Sequence, residues 1–193
     1  MTVLAESADA RLGPGRPALF GTLGDAHTRL LAGPPAVEGA ETLGDHLRRL
    51  GPLRLPDSPA DVLELAQGGG ILGRGGGEFP LARKLATAAA AGGSPLVVVN
   101  GSEGEPASRK DRVLLGFRPH LVLDGAEVAA RAVGAADVVL YVHAGERTVE
   151  AALDRACRER LRSGCPLRLR MIAAPPAYVS GESSAVVSVL EGR

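Results

Sequence analysis

Residues 137–143, Asp-Val-Val-Leu-Tyr-Val-His, give the clearest indication of the fold. A short apolar run bounded by polar residues is typical of a β-strand buried on both faces of a parallel sheet. Residues 96–99, Leu-Val-Val-Val, have the same character and predict another strand of this kind. A further strand is predicted over residues 167–172.

Helical patterns separate these strands. Apolar positions recur at helical spacing over residues 120–133 and 146–162, and further helices are predicted at 79–91 and 181–190. Strands that alternate with helices predict an α/β fold, a doubly wound parallel sheet with helices on both faces. In such sheets ligands bind at the carboxyl ends of the strands.

The first part of the chain has a different composition. Residues 1–58 contain Gly-Pro-Gly and Gly-Pro-Pro stretches and one short amphipathic segment at 42–50. This pattern predicts a partly irregular N-terminal arm, either wrapped on the domain or loose. Asp-Ser-Pro at 57–59 then opens a helix over 60–67, so the α/β domain is predicted to span residues 59–193.

Composition restricts the partners and the compartment. The 193 residues carry 22 basic and 22 acidic side chains, and this zero net charge gives no indication of a nucleic-acid partner. No apolar run approaches the roughly 20 residues that span a bilayer, and the start of the chain does not resemble a secretory signal. The expected location is cytoplasmic, with any membrane association through partners rather than direct insertion.

The cysteines and histidines give no indication of a metal site. Cys157 and Cys165, the two cysteines, cannot supply four ligands, so no iron–sulfur cluster or zinc site is expected in this chain alone. A cytoplasmic setting argues against a disulfide between them. Cys157 falls on a helical pattern and is expected to be a small core residue. The four histidines lie far apart in the sequence, and His120 is expected to cap or pack a helix.

Three polar segments adjoin the apolar elements and are interpreted as one cofactor site. The first is glycine-rich, and its glycines let a backbone approach anionic oxygens closely. The second follows a strand, and the third leads into a helix. Their candidate residues are Gly73, Arg74, Gly75, Gly76, Phe79 and Lys84; Asn100, Glu103 and Glu105; and Tyr178, Gly181 and Glu182.

Each segment also has a simpler interpretation. The glycine string lacks the lysine of a phosphate-binding P-loop and can be a flexible connector. Glu103 and Glu105 can be solvated loop carboxylates, Tyr178 can be ordinary packing, and the charged residues 109–112 can be an exposed, self-paired run. Lys84 and Lys110 are the two lysines of an arginine-rich chain. This scarcity of lysine either indicates a specific role for Lys84 or is a coincidence.

Together the motifs resemble one family. They read Gly-Arg-Gly-Gly-x-x-Phe-Pro with a lysine four residues later, Asn-x-x-Glu-Gly-Glu-Pro-x-x-x-Lys-Asp-Arg, Tyr-x-x-Gly-Glu and Leu-Glu-Gly-Arg. In this order and spacing, over roughly residues 63–193, they resemble the flavin-bearing, NADH-oxidising subunit of NADH:quinone oxidoreductase (respiratory complex I). Related subunits occur in hydrogenases and formate dehydrogenases.

The resemblance implies a Rossmann-like domain that binds FMN, with NADH stacked above the flavin. It implies that Glu105 and Glu182 are catalytic, with Glu105 at the nicotinamide amide and Glu182 lining the flavin pocket. The implied cofactor-binding residues are Gly73, Arg74, Gly75, Gly76, Phe79, Lys84, Asn100, Glu103, Tyr178 and Gly181. Electrons would pass to an iron–sulfur or ferredoxin-like partner subunit.

The chain also departs from the family pattern. The family has aspartate where Ser102 stands, glutamate where Ser183 stands, and aromatic residues where Leu85 and Thr87 stand. Its sandwich and iron–sulfur domains would follow Arg193, so the chain is expected to be a fragment or a shortened relative. Three functions remain open: an NADH-oxidising flavin domain, a related subunit that uses ferredoxin, and a non-catalytic interaction or assembly module.

Overall fold

A computed structural model describes residues 30–35, 38–73, 78–104, 107–175 and 177–193. Three strands form one parallel sheet in the order β1-β2-β3: β1 is Leu96–Gly101, β2 is Asp137–His143 and β3 is Arg168–Ala174. In the register Asn100 lies opposite Tyr141, and His143 lies opposite Ala174. The predicted α/β fold with a parallel sheet is confirmed.

The central strand carries the core on both of its faces. Val138, Leu140 and Val142 belong to the larger apolar cluster, and Val139 and Tyr141 belong to a smaller cluster on the opposite face. All five are at most 2% exposed, as predicted for a doubly buried strand. The same prediction is wrong for β1, which is only half-buried because it lies at an edge of the described sheet.

Helices cover both faces, as predicted. The helices are α1 Leu43–Leu50, α2 Pro59–Gly68, α3 Leu81–Ala90, α4 Lys110–Phe117, α5 Pro119–Val133, α6 Arg147–Arg162 and α7 Ser183–Leu190. A short 3-10 helix, Tyr178–Gly181, precedes α7. Helices α4, α5 and α6 supply buried residues to the larger cluster, whereas Val186 of α7 packs in the smaller one.

Two helix starts follow directly from local capping. At α2 the Ser58 hydroxyl accepts a hydrogen bond from the backbone N–H of Asp61. In return, the Asp61 carboxylate accepts a hydrogen bond from the backbone N–H of Ser58. Thr42 and Asp45 form the same reciprocal cap at α1. Helix α3 begins at Leu81 rather than at the predicted Phe79, because Pro80 pairs with Leu72 in a β-bridge.

Helix α4 was not predicted from the sequence. Arg109, Lys110 and Arg112 are exposed, in agreement with the simpler interpretation of residues 109–112, but Lys110 also begins a helix whose later residues Val113, Leu115 and Phe117 are buried. Lys110 does pair with its neighbour Asp111, at 2.9 Å. The charges therefore form the first turn of an amphipathic helix that packs on the sheet.

Polar contacts attach the end of the N-terminal arm to the helices. The backbone N–H of Leu43 donates to the Glu159 carboxylate at 2.7 Å, and the Arg118 guanidinium donates to the Leu31 carbonyl at 2.6 Å. Glu41 is 1% exposed, so these contacts enclose a charged interior between α1, α5 and α6. The described part of the arm is wrapped on the domain rather than loose.

Candidate functional site

Two of the three predicted segments meet at the carboxyl end of the sheet. The Asn100 side-chain amide donates to the Gly181 carbonyl at 2.7 Å, and its oxygen accepts from the backbone N–H of Ser102 at 3.2 Å. Asn100 lies near the end of β1, and Gly181 lies in the 3-10 helix that follows β3. The structure thus brings these two predicted site residues into direct contact.

Gly181 allows this contact because it has no side chain. A Cβ at this position would lie 2.4 Å from the backbone oxygen of Ser102, closer than carbon and oxygen can approach without movement. The obstructing atom belongs to the backbone and cannot rotate away. Glycine therefore permits the two loops to approach one another at the edge where the fold places ligands.

Sequence reasoning missed three polar side chains at this edge. The Ser102 hydroxyl lies 3.0 Å from the Ser180 hydroxyl and 3.2 Å from Nε2 of His143. The same His143 nitrogen lies 3.1 Å from the Glu103 carbonyl. His143 is the last residue of β2, so its position at the end of a parallel strand is the signal that could have identified it.

The two described ends of the glycine segment, residues 71–73 and 79–81, pair antiparallel between α2 and α3, and this paired region is called the glycine hairpin. Its base is closed by hydrogen bonds from Gly73 N–H to the Phe79 carbonyl at 2.9 Å and from Leu81 N–H to the Ile71 carbonyl at 2.8 Å. The Lys84 ammonium lies 5.9 Å from the centroid of the Phe79 ring, which is 45% exposed. The structure therefore joins Gly73, Phe79 and Lys84 in a second group.

Glu103 lies beside the sheet edge, but its carboxylate faces α4. It accepts hydrogen bonds from the Ser108 hydroxyl at 2.5 Å and from the Lys110 backbone at 3.1 Å, and it pairs with the Lys110 ammonium at 3.3 Å. Burial alone would lower the pKa of Lys110, but hydrogen bonds to Asp111 and Glu103 raise this pKa above its ordinary value. Glu103 thus anchors the loop after β1 to the start of α4.

The remaining candidates are placed only in part. Arg74, Gly75, Gly76 and Glu105 lie outside the described residues. Tyr178 is described by its backbone, in the first position of the 3-10 helix. Glu182 is exposed at the N-cap of α7. No hydrogen bond or ion pair joins the hairpin group to the sheet-edge group within the part of the chain that the structure describes.

Neither of two cavities coincides with the whole predicted site. A cleft of about 530 Å³ between α2 and α3 is lined by apolar residues with Gln67 and Arg83, and none of the predicted site residues lines it. A cavity of about 20 Å³, large enough for one water molecule, lies at the sheet edge beside Gly101, Glu103 and His143. The hydrogen-bond geometry locates the candidate site better than cavity size does, because no predicted site residue lines the 530 Å³ cleft.

The described residues do not assemble a metal site or a bilayer-spanning helix. Within the described ranges, no group of three or more His, Cys, Asp or Glu side chains is arranged to hold a metal ion. None of the helices in those ranges combines the length and the apolar composition that a bilayer crossing requires.

Comparison with known proteins assigns the family. The family model for the Nuo51 FMN-binding domain matches residues 67–193, which include every candidate site residue. The chain belongs to this family. The Nuo51-type domain of this chain thus includes the complete three-stranded sheet, the glycine hairpin and the loops at the carboxyl edge.

Curated relatives and solved structures agree with this assignment. The chain is 30% identical over 147 residues to an F-type NADH-quinone oxidoreductase subunit of Rhizobium meliloti (strain 1021), covering 70% of this chain and 35% of the relative. It is 33% identical to the corresponding NADH-quinone oxidoreductase protein of Streptomyces coelicolor, covering 70% of this chain and 33% of that protein. The chain therefore spans about a third of the length of these relatives.

Two of the solved structures that match are chains of an NAD+-reducing NiFe-hydrogenase. The air-oxidized form superposes with a TM-score of 0.68 at 32% identity, over 80% of this chain and 28% of that one. The H2-reduced form gives a TM-score of 0.62 at 34% identity, over 70% of this chain and 24% of that one. The α/β fold of this chain is thus shared with a chain of a redox enzyme.

Proposed function

We propose that this FMN-binding-family chain holds FMN between the glycine hairpin and the carboxyl edge of its sheet, and that it takes part in NADH oxidation. The observation that carries the proposal is the pair Lys84 and Phe79. No carboxylate among the described residues lies within ion-pair distance of Lys84, and the Phe79 ring beside it is 45% exposed. A cation without a described counter-ion, next to an exposed ring, fits a ligand that has an anionic group and a planar ring.

The groups at the sheet edge fit the same ligand. Asn100 is exposed and uses one amide N–H and one oxygen lone pair internally, which leaves a donor and an acceptor for ribityl hydroxyls or a ring amide. Glu182 is exposed, and its side chain makes no hydrogen bond to a described residue. Gly73, Lys84, Asn100, Gly181 and Glu182 are therefore proposed to bind and orient the cofactor.

The residues of this chain would mainly position the reactants. When bound, FMN supplies a ring that accepts a hydride and releases electrons singly. Phe79 is proposed to stack on the dinucleotide, and Glu105 to meet the nicotinamide amide. Arg74, Gly75, Gly76, Glu103 and Tyr178 complete the proposed set of cofactor-binding residues. Such orientation of two stacked rings accounts for much of the rate of a hydride transfer.

The relatives support the choice of partners. The curated proteins are named for NADH-quinone oxidoreductase, and the solved ones for NAD+ reduction. Because the chain spans about a third of the curated relatives, electron transfer to an iron–sulfur or ferredoxin-like partner subunit is part of the proposal. The proposal also includes a cytoplasmic location, with partner subunits supplying any attachment to a membrane complex.

The test uses the purified full chain. FMN is titrated into the protein while flavin fluorescence is followed, and NADH is then added without oxygen while the flavin absorption band is recorded. Saturable quenching followed by bleaching of the band is the expected result. Absence of any FMN binding would overturn the proposal and favour an interaction or assembly module. Binding without bleaching by NADH would retain the flavin site and reject NADH as the donor, as expected for a subunit that uses ferredoxin.

A further inference from the structure

A continuous series of hydrogen bonds joins three segments at the carboxyl edge of the sheet. It begins at Nε2 of His143, passes through the hydroxyls of Ser102 and Ser180 at 3.2 and 3.0 Å, and ends at the Ala177 carbonyl at 2.6 Å. These residues belong to the end of β2, the loop after β1 and the 3-10 helix region before α7. The series is separate from the Asn100 to Gly181 bond, which joins two of the same segments.

The partners determine the direction of every bond. A carbonyl can only accept, so Ser180 must give its single hydroxyl proton to Ala177. Ser102 must then donate to Ser180 and can only accept from His143. The Glu103 carbonyl, 3.1 Å from the same Nε2, also requires a donor there. His143 therefore carries a proton on Nε2, and it is shared between Ser102 and Glu103.

Burial makes this donor important. Ser102 is 5% exposed and Ser180 is 3% exposed. If either hydroxyl loses its hydrogen-bond partner, bulk water does not readily replace that partner, and the loss destabilises the loop. If the Ser180 hydroxyl reversed its role, the Ala177 carbonyl would keep the Ser180 backbone N–H at 3.1 Å but lose its hydroxyl bond at 2.6 Å. The loop after β1 has two acceptors, the Ser102 hydroxyl and the Glu103 carbonyl, that depend on a single N–H.

We propose that His143 is a positioning residue for the cofactor-binding edge, because its Nε2–H fixes the loop after β1 against the 3-10 helix that precedes α7. The inference rests on the proposed function for its statement about FMN. His143 acts through Ser102, Ser180 and the Glu103 carbonyl, and does not itself contact the ligand. Without this donor the loop that follows Asn100 and the 3-10 helix that carries Gly181 separate more readily, and the site loses its preorganisation.

The test compares His143→Leu, which removes the donor, with His143→Gln, which retains a side-chain N–H. Hydrogen–deuterium exchange of the free protein is measured at residues 102–104 and 178–182, and FMN is titrated separately. His143→Leu is expected to speed exchange in both segments about five- to tenfold and to weaken FMN binding by a similar factor, the effect of losing one or two hydrogen bonds. His143→Gln is expected to restore both values to within about twofold of the wild type.

Ser180→Ala provides a second variant that interrupts the series without changing His143. It is expected to speed exchange in the same two segments. Ser163→Ala is the matched control, since the Ser163 hydroxyl also bonds a backbone carbonyl, at 2.8 Å, but at the end of α6. It should leave both segments and FMN binding unchanged.

Two results would overturn the proposal: unchanged exchange in both segments of His143→Leu and Ser180→Ala, or a Gln variant as impaired as the Leu variant. Failure of the proposed function gives a different result. If the wild type binds no FMN while exchange still follows the order wild type, Gln, Leu, the positioning role stands and the flavin assignment falls.

Discussion

The imidazole rings of His46 and His120 lie with their centroids 5.7 Å apart, where α1 packs on α5. Both nitrogens of His46 face carboxylates, Glu41 at 3.3 Å and Asp124 at 2.8 Å. His120 has one donor and one acceptor position, with Nε2 2.9 Å from Glu159 and Nδ1 accepting from Arg160. The two neighbouring rings therefore have different partners: two carboxylates at His46, and one carboxylate and one guanidinium at His120.

Replacement of His46 should weaken the packing of α1 on α5 and lower the stability of the protein. His46→Ala leaves two carboxylates, Glu41 and Asp124, without the group that lies between them, and we expect a loss of about 2–4 kcal/mol in the free energy of unfolding. Urea denaturation measures the loss. Arg48→Ala on the same helix is the control, because Arg48 is 74% exposed and its ion pair should contribute less than about 1 kcal/mol. Equal stability of the two variants would contradict the prediction.

His120 should make the protein less stable in mild acid. Burial, followed by the charge of Arg160, lowers the pKa of His120 below its ordinary value of 6.5. As the pH falls below 6.5, the unfolded chain takes up a proton that the folded state does not, so stability decreases, by up to about 1.4 kcal/mol per pH unit. The free energy of unfolding of wild type and His120→Gln, measured between pH 5 and 8, should diverge on acidification. Parallel pH curves would exclude His120 as the source.

Lys84→Ala should weaken FMN binding by about 1–3 kcal/mol if the ammonium pairs with an anionic group of the cofactor. Arg83 precedes it on α3 and is also exposed, but only Lys84 lies over the Phe79 ring. Arg83→Ala removes the same charge and serves as the control. Fluorescence titration with FMN should separate the two variants. An equal loss in both would indicate a general effect of charge rather than a specific contact.

Two glycine-to-alanine substitutions should have opposite effects. Gly181→Ala places a Cβ 2.4 Å from the Ser102 backbone oxygen and should cost about 1–3 kcal/mol of stability. Gly125→Ala, inside α5, meets no atom within 4 Å and should stabilise the helix by up to about 1 kcal/mol. Thermal unfolding of both variants gives the comparison. A Gly181→Ala variant as stable as the wild type would show that the two loops can separate freely.

Cys157 should react slowly with thiol reagents in the folded protein. Burial raises the pKa of the Cys157 thiol to about 11, so little of the nucleophilic thiolate exists at pH 8. Labelling with iodoacetamide, followed by mass spectrometry, should modify Cys157 at least tenfold faster after denaturation in urea. Rapid labelling of the native protein would contradict the half-buried position that the structure gives this residue.

The elements that the sequence predicted well have local causes. Strand β2 follows from the apolar run Val138 to Val142, and the start of α2 from the Ser58 cap. Helix α4 was missed because its first turn consists of charged residues, and its apolar residues begin only at Val113. The edge position of β1 is a property of strand order, which an apolar run does not encode.

The same distinction applies to the site. The meeting of Asn100 and Gly181 was predictable because both adjoin strand ends of one parallel sheet. The bonds among Ser102, His143 and Ser180 were not predicted, since they depend on distances between three separate segments. The charged cluster around His46 was missed for the same reason, because its members come from three helices and from Glu41 ahead of α1, and share no sequence pattern.

The enclosed charges between α1, α5 and α6 have a consequence for shortening this protein. The family match begins at residue 67, and a version trimmed to that point would remove Glu41 and His46 but keep Asp124, His120 and Glu159. Charged and polar groups that now satisfy one another would then line an open notch on the surface, where Arg118 has lost its bonds to the Leu31 and Pro34 carbonyls. We expect such a trimmed protein to melt over a broad temperature range, with α5 and α6 fraying before the sheet, because the segment ahead of the match belongs to the same cooperative unit.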